Sequence, residues 1–273
     1  MDYKLKAIDI REKALKMITI AQSGHSGGSL SCVEIMMALY YNVMKVDPRN
    51  PKWDDRDRFV MSKGHCCPTL YAILADLGFI PEEDLWTLRK ADSYLQGHPD
   101  MHKIPGIDES SGSLGQGMSV AMGMALAGKI RKKDYKVYTL IGDGESQEGI
   151  IWEAAEAAAQ YKLDNFTVLL DHNGLQIDGT NDEVMSIRDI GKKFDAFGFQ
   201  CFSVDGHNVD EITNALFAPA DSRPKFIDCR TIKGKGVSFI ENQVSWHGKA
   251  PTKEQYELRS SRSTIRILST PAS

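Results

Sequence analysis

The chain has 273 residues, 42% of them apolar and 26% charged, with 23 glycines and 10 prolines, a composition that excludes collagen-like, low-complexity and disordered chains. Its 33 Lys and Arg against 37 Asp and Glu give a net charge of −4, so no basic excess is present to neutralise a nucleic-acid backbone. No uninterrupted apolar stretch is long enough to span a membrane, and the cysteines at 32, 66, 67, 201 and 229 lack the paired spacing of a zinc or redox motif.

The N-terminal segment is charged and helical in pattern, which predicts a helix over 5–20 rather than a secretory signal. Helices are also expected over 32–44 and 68–77. Pro81 followed by Glu82 and Glu83 reads as a helix start, with proline in the first position and acids facing the dipole. A further helix is expected over 116–132. The runs at 137–141, 166–170 and 226–229 are short, apolar and partly β-branched, as parallel strands covered on both faces are. An alanine-rich helix over 147–162 joins the first two of them. Right-handed crossover makes that pair parallel. With another helix over 187–197, the expected fold class is α/β, a mainly parallel open sheet with helices on both faces. No internal repeat is present. One domain is expected over 1–259, followed by a polar, turn-prone tail over 260–273. Composition and unpaired cysteines fit the cytoplasm.

The segment GDGESQEG (142–149) follows a strand and opens a helix. Ligands of an open parallel sheet bind beyond the carboxyl ends of its strands. Gly142 and Gly144 let the backbone turn sharply and free amides near a helix N-terminus, where a diphosphate can sit. Asp143 is a hard oxygen ligand. Gly-Asp-Gly alone is usually a turn. Here Asn173 ends the next strand, and adjacent strands would bring the carboxylate and the amide oxygen together. Few protein oxygens, completed by phosphate and water, are the habit of magnesium. There is no Walker loop and no complete G-x-G-x-x-G after a strand, so a diphosphate would be held mainly through metal.

Four histidines lie in tight glycine- or proline-flanked turns: His25, His65, His98 and His247. A single loop histidine is ordinarily a surface residue. Four with glycine neighbours point to proton relay and hydrogen bonding to phosphate or hydroxyl groups. His98 and His102 are spaced i, i+4, but Pro99 makes a helical metal pair a poor reading. Ser111 to Gly117 form a glycine-rich loop running into an apolar helix, with Leu114 offering apolar surface to a flat ligand.

Taken together, SGHSGG (23–28), SKGH (62–65), QGHP (96–99), GSLGQG (112–117), GDGESQEG, DHNGLQIDG (171–179) and WHG (246–248) resemble the N-terminal, thiamine-diphosphate-binding domain of the transketolases. They stand in family order from near residue 20 to near 250. The resemblance implies the thiamine-diphosphate-binding fold. It also implies a magnesium ion on Asp143, Asn173 and the backbone carbonyl of Leu175. It assigns cofactor contacts to His65, Gly112, Ser113, Leu114, Gly142, Asp143, Gly144, Glu145, Asn173 and His247. It places His25, His98 and His247 at the substrate channel as catalytic groups. Glu148 matches a glutamate that supports the interface between protomers. Cys66 and Cys67, following His65, and Ser26, where proline is common, depart from the pattern without touching the metal site.

In that family a second, pyrimidine-binding domain completes the site and supplies an activating glutamate. No segment here provides it. The resemblance therefore implies the N-terminal half of a split transketolase, inactive alone and completed by a C-terminal subunit in a dimer of heterodimers. The implied reaction moves a two-carbon ketol unit from a ketose phosphate to an aldose phosphate, the transfer of the pentose phosphate pathway. Donor and acceptor stay open, because most arginines that grip the sugar phosphate belong to the missing domains. Alternatives are a deoxyxylulose-phosphate synthase-like enzyme, a 2-oxoacid dehydrogenase subunit, a transketolase for an unusual sugar phosphate, or a non-catalytic cofactor-binding subunit. The first two share GDG followed by asparagine, whereas SGHSGG, QGHP and GSLGQG favour transketolase.

Overall fold

A computed structural model describes residues 1–258; the expected tail over 260–273 lies outside the described residues. Five strands, β1 (Arg58–Met61), β2 (Val137–Gly142), β3 (Phe166–His172), β4 (Gln200–Asp205) and β5 (Lys225–Arg230), form one sheet in the order β1-β2-β3-β5-β4. Every pairing is parallel. The helices are α1 (Tyr3–Ala21), α2 (Ser26–Ser31), α3 (Val33–Met37), α4 (Cys67–Asp76), α5 (Gln116–Ile130), α6 (Gly149–Gln160), α7 (Asn181–Val184), α8 (Ile190–Ala196) and α9 (Val209–Phe217).

The alternation of a strand sends successive side chains to opposite faces, and both faces are covered. Phe59, Met61, Tyr138, Leu140, Leu169 and Ile227 meet α1, α3, α4 and α9 in one core layer. Val60, Val137, Ile141, Val168, Leu170 and Phe226 meet α5, α6 and α8 in the other. That double burial is why the central strands read as continuous apolar runs. The α/β reading, with a parallel sheet between two helical layers, is borne out.

Several boundaries differ from the sequence expectation. β1 and β4 are not among the expected strands: β1 has only four residues, and β4 is an edge strand in which no residue is fully buried. The helix expected over 32–44 is split, α3 being followed by a π-helical stretch, Ala38–Val43. Pro81 is not the first helical residue. It stands one position earlier in extended conformation, φ −63° and ψ 140°, and the segment after it is a 3-10 helix, Glu82–Thr87. The helix expected from 147 begins at Gly149, because Glu145–Gln147 form a separate 3-10 turn and Glu148 is extended at ψ 133°. The helix expected from 187 begins at Ile190, where the Asp189 side chain accepts from Lys192 N.

Candidate functional site

The β2–β3 register pairs Ile141 with Leu170 and Gly142 with Asp171, so both strands end level and their following residues meet at the carboxyl edge of the sheet. The loops after β1, β2, β3 and β5 enclose a cavity of about 420 Å³ there. Its walls include His25, His65, His98 and His247 together with Gly112, Leu114, Gly142, Asp143, Gly144, Glu145, Asn173 and Leu175. All the sequence-predicted site residues therefore meet in one place except Ser113, which is exposed and lies outside the lining.

Asp143 is 3% exposed. One carboxylate oxygen accepts from Gly174 N at 2.7 Å and from Asn181 Nδ2 at 3.0 Å, the other from Gly144 N at 3.3 Å. Burial pushes this carboxyl above its ordinary range. A group so placed favours a nearby cation. Asn173 Oδ1 accepts from Leu175 N at 3.2 Å, and the Leu175–Thr180 bridge turns the segment back so that Asn181 reaches Asp143. No group of three or more His, Cys, Asp or Glu side chains able to hold a metal occurs among the described residues. The oxygens available to a cation are the Asp143 carboxylate, Asn173 Oδ1 and the Leu175 carbonyl. That is a hard donor set with few protein ligands, suited to a divalent ion that shares its shell with phosphate.

Glu145 is 2% exposed and joins three segments. It accepts from Ser62 Oγ at 2.5 Å, Gly115 N at 2.8 Å and Gly142 N at 3.0 Å. Glu148, exposed, caps α6 and lies against Gly115, where an added Cβ would come 2.9 Å from Glu148 Cβ.

Two lysines that sequence reasoning passed over are buried in the same walls. Lys63 Nζ pairs with the fully buried Asp171 and donates to Gly28 O at 3.2 Å. Lys233, 1% exposed, directs its ammonium to Leu175 O at 3.2 Å, Gln176 O at 3.3 Å and His247 Nδ1 at 3.1 Å. Burial lowers the Lys233 pKa, against the opposing pull of Asp143. Within SGHSGG, Gly27 makes room for this lysine, since a Cβ there would lie 3.0 Å from Lys233 Cγ, and Gly28 makes room for Cys66, at 2.7 Å. Ser26 Oγ donates to Lys249 O at 2.8 Å, drawing the loop onto the His247 segment. All five cysteines are free.

The rings of His25, His65 and His247 form a triangle with centroid separations of 4.8, 5.4 and 5.5 Å. His98 stands apart from it, over Gly112. His25 Nδ1 is buried without a hydrogen-bond partner, and such a group calls for a ligand or water. An anion beside the two lysines, with a cation at Asp143, fits this set of donors and acceptors.

Burial, aided by neighbouring positive groups, pushes His25 and His65 down to about 4 and His247 to about 3, so all three are neutral at pH 7. In the cofactor-free protein the unfolded chain binds these protons near its ordinary value of 6.5, whereas the folded chain refuses them until about 4. Stability therefore falls as pH drops through that window and is unaffected by these groups above it. Scanning calorimetry is expected to show a lower melting temperature at pH 5 than at pH 7, with a smaller drop for His65→Gln. Equal drops would remove His65 as a cause.

A family model described as the transketolase thiamine diphosphate binding domain matches residues 3–265. One of the two subunits of an apulose-4-phosphate transketolase, from Phocaeicola vulgatus, is 46% identical over 249 residues, 90% of this chain and 88% of that protein. The 6-deoxy-6-sulfo-D-fructose transketolase subunit SqwG of Clostridium sp. is 45% identical over 259 residues, 94% of each. The crystal structure of transketolase from Campylobacter jejuni superposes with a TM-score of 0.90 at 34% identity, covering 95% of this chain and 42% of that one. The chain thus spans nearly the whole of the first two relatives and less than half of that transketolase. Family match, identity and fold agree: the chain belongs to the transketolase family, as its N-terminal, thiamine diphosphate-binding domain.

Proposed function

We propose that the cavity binds thiamine diphosphate with a magnesium ion, and that the chain is one half of a two-subunit transketolase. The observation that carries this reading is the meeting of Asp143, Asn173 and the Leu175 carbonyl with two buried lysines in one cavity. The first three would hold the ion. Lys63, Lys233 and His65 would face the diphosphate, and Gly112 and Leu114 would line the cofactor's rings. When bound, the cofactor supplies the carbanion chemistry of ketol transfer. His25, His98 and His247, neutral at working pH, can each donate and accept, which suits them to hold sugar hydroxyls and pass protons. The domain proposed is 1–259.

A second polypeptide is the proposed partner, and α5 supports it. Its first charged side chain is Lys129, while Val120 and Ile130 are 36% and 73% exposed and Gly123 faces open space. An uncharged helix face of this kind asks for cover. We assign it to a pyrimidine-domain subunit in a dimer of heterodimers, in the cytoplasm, where free cysteines persist. The names of both split relatives specify sugars with a phosphate or sulfo group, so the substrates proposed are ketoses and aldoses carrying an anionic group.

The test is ketol transfer with thiamine diphosphate and magnesium, on this chain alone and mixed with its candidate partner. Xylulose 5-phosphate, apulose 4-phosphate and 6-deoxy-6-sulfofructose serve as donors and ribose 5-phosphate as acceptor. Activity is expected only in the mixture. Cofactor binding without transfer from any donor in the assembled complex would overturn the catalytic reading in favour of a silent subunit.

A further inference from the structure

We propose that His207, remote from the cavity wall, is a positioning residue that sets the Lys233 ammonium in the cofactor site through the backbone of Ile232. The inference rests on the reading that Lys233 faces the diphosphate.

His207 Nε2 accepts a hydrogen bond from Ile232 N at 2.9 Å. A backbone N–H can only donate, so Nε2 carries no proton and the ring proton sits on Nδ1. That proton is donated to Glu34 Oε2 at 3.0 Å. Glu34 is in turn gripped by both terminal nitrogens of Arg11, at 2.7 and 2.5 Å. Arg11 is anchored by its own Nε to Leu30 O at 3.3 Å. Burial opposes the Glu34 charge, but Arg11 and His207 outweigh it and hold the carboxyl down to about 2. A fixed carboxylate on Nδ1 selects one tautomer of the imidazole and aims its other nitrogen. The chain Arg11, Glu34, His207 therefore ends in one lone pair pointed at one backbone amide.

That amide lies where β5 leaves the sheet. Thr231 Oγ1 donates to Asp171 at 2.5 Å, Ile232 N is held by His207, and Lys233 enters the cavity directly after. Gly234 N closes the turn on Gly27 O at 2.9 Å. Side-chain reach alone leaves a lysine many rotamers; fixing the backbone one residue before it restricts where the ammonium can go. His207 touches no wall of the cavity, so its effect must pass through Lys233.

The prediction is a coupling, measured as the dissociation constant of thiamine diphosphate at saturating magnesium on the assembled complex. Loss of one such hydrogen bond in His207→Ala is expected to weaken binding about fivefold. His207→Gln, whose side-chain amide can reach the Nε2 position and accept from Ile232 N, is expected to recover it to within about twofold. Lys233→Met is expected to weaken binding by about tenfold or more, and adding His207→Ala to it to cost less than about twofold further. Losses that multiply in the double variant, or a His207→Ala protein with wild-type affinity, overturn the proposal. A Lys233→Met protein with wild-type affinity overturns the reading of Lys233 and the proposal with it, a result distinct from the other two. Should His207→Ala fail to fold, His207→Asn keeps the contact to Glu34, cannot reach Ile232 N and takes its place.

Discussion

Asp143→Ala is expected to abolish magnesium-dependent binding of thiamine diphosphate while leaving the fold in place. Outer-shell partners of a metal site alone are worth about 10- to 100-fold in affinity, so loss of the one carboxylate in this donor set should weaken binding by more than about 100-fold. Two donors, Gly174 N and Asn181 Nδ2, lose their acceptor. Each buried unsatisfied group costs about 1–3 kcal/mol. The substitution also removes a buried carboxyl whose charge burial already disfavours, which offsets part of that loss. Titration calorimetry with and without magnesium reads the affinity, and circular dichroism reads the fold. Unchanged affinity in a folded variant would falsify the metal assignment.

The largest effect on stability is expected from Lys63→Met. Asp171 is fully buried and accepts from Ser31 Oγ and Thr231 Oγ1, each at 2.5 Å, but its charge is balanced by the Lys63 ammonium. Removing one partner of a buried pair costs about 3–5 kcal/mol, because the other charge stays behind. The double variant Lys63→Met, Asp171→Asn is expected to recover most of that loss. Burial alone would raise the Asp171 carboxyl, and Lys63 with the hydroxyl donors reverses the sign, holding it below the ordinary range. Its contribution is therefore full above the unfolded value of about 3.9 and lost as pH falls below it. Chemical denaturation should show the gap between wild type and Lys63→Met complete at pH 7 and narrowing below about pH 4. A gap that stays constant with pH would assign the loss to packing instead of charge.

The parts of the molecule that the sequence displays are those whose physics is local. β2, β3 and β5 read as apolar runs because both their faces are covered, and Asp143 and Asn173 can be matched because each directly follows such a run. β1 escapes that signal through its shortness and β4 through its half-exposed position at the edge. The site is legible in its loops and illegible in its long-range pairs. Lys63 meets Asp171 across 108 positions and Lys233 meets Leu175 across 58. A lysine in a sequence is by default a surface residue, and only the folded backbone shows these two to be inside. The histidines can each be placed in a turn, but not sorted into a triangle of three with His98 apart. Glu145 reads as one more polar residue of a loop, yet its oxygens tie the loops after β1 and β2 to the turn before α5.

Ser26 bonds to Lys249 across 223 positions, and Gly27 O accepts from Gly234 N, so one wall of the cavity belongs to the earliest part of the chain and its opposite to the latest. At a synthesis rate of about 5–20 residues per second, roughly 10 to 45 seconds separate the making of the two. Throughout that interval the nascent SGHSGG loop has none of its partners from residues 233–249. A ribosome that stalls before residue 233 releases a product with no Lys233 and no His247. Cofactor capture thereby becomes the last event of biogenesis, and a mark of a chain read through to near its end.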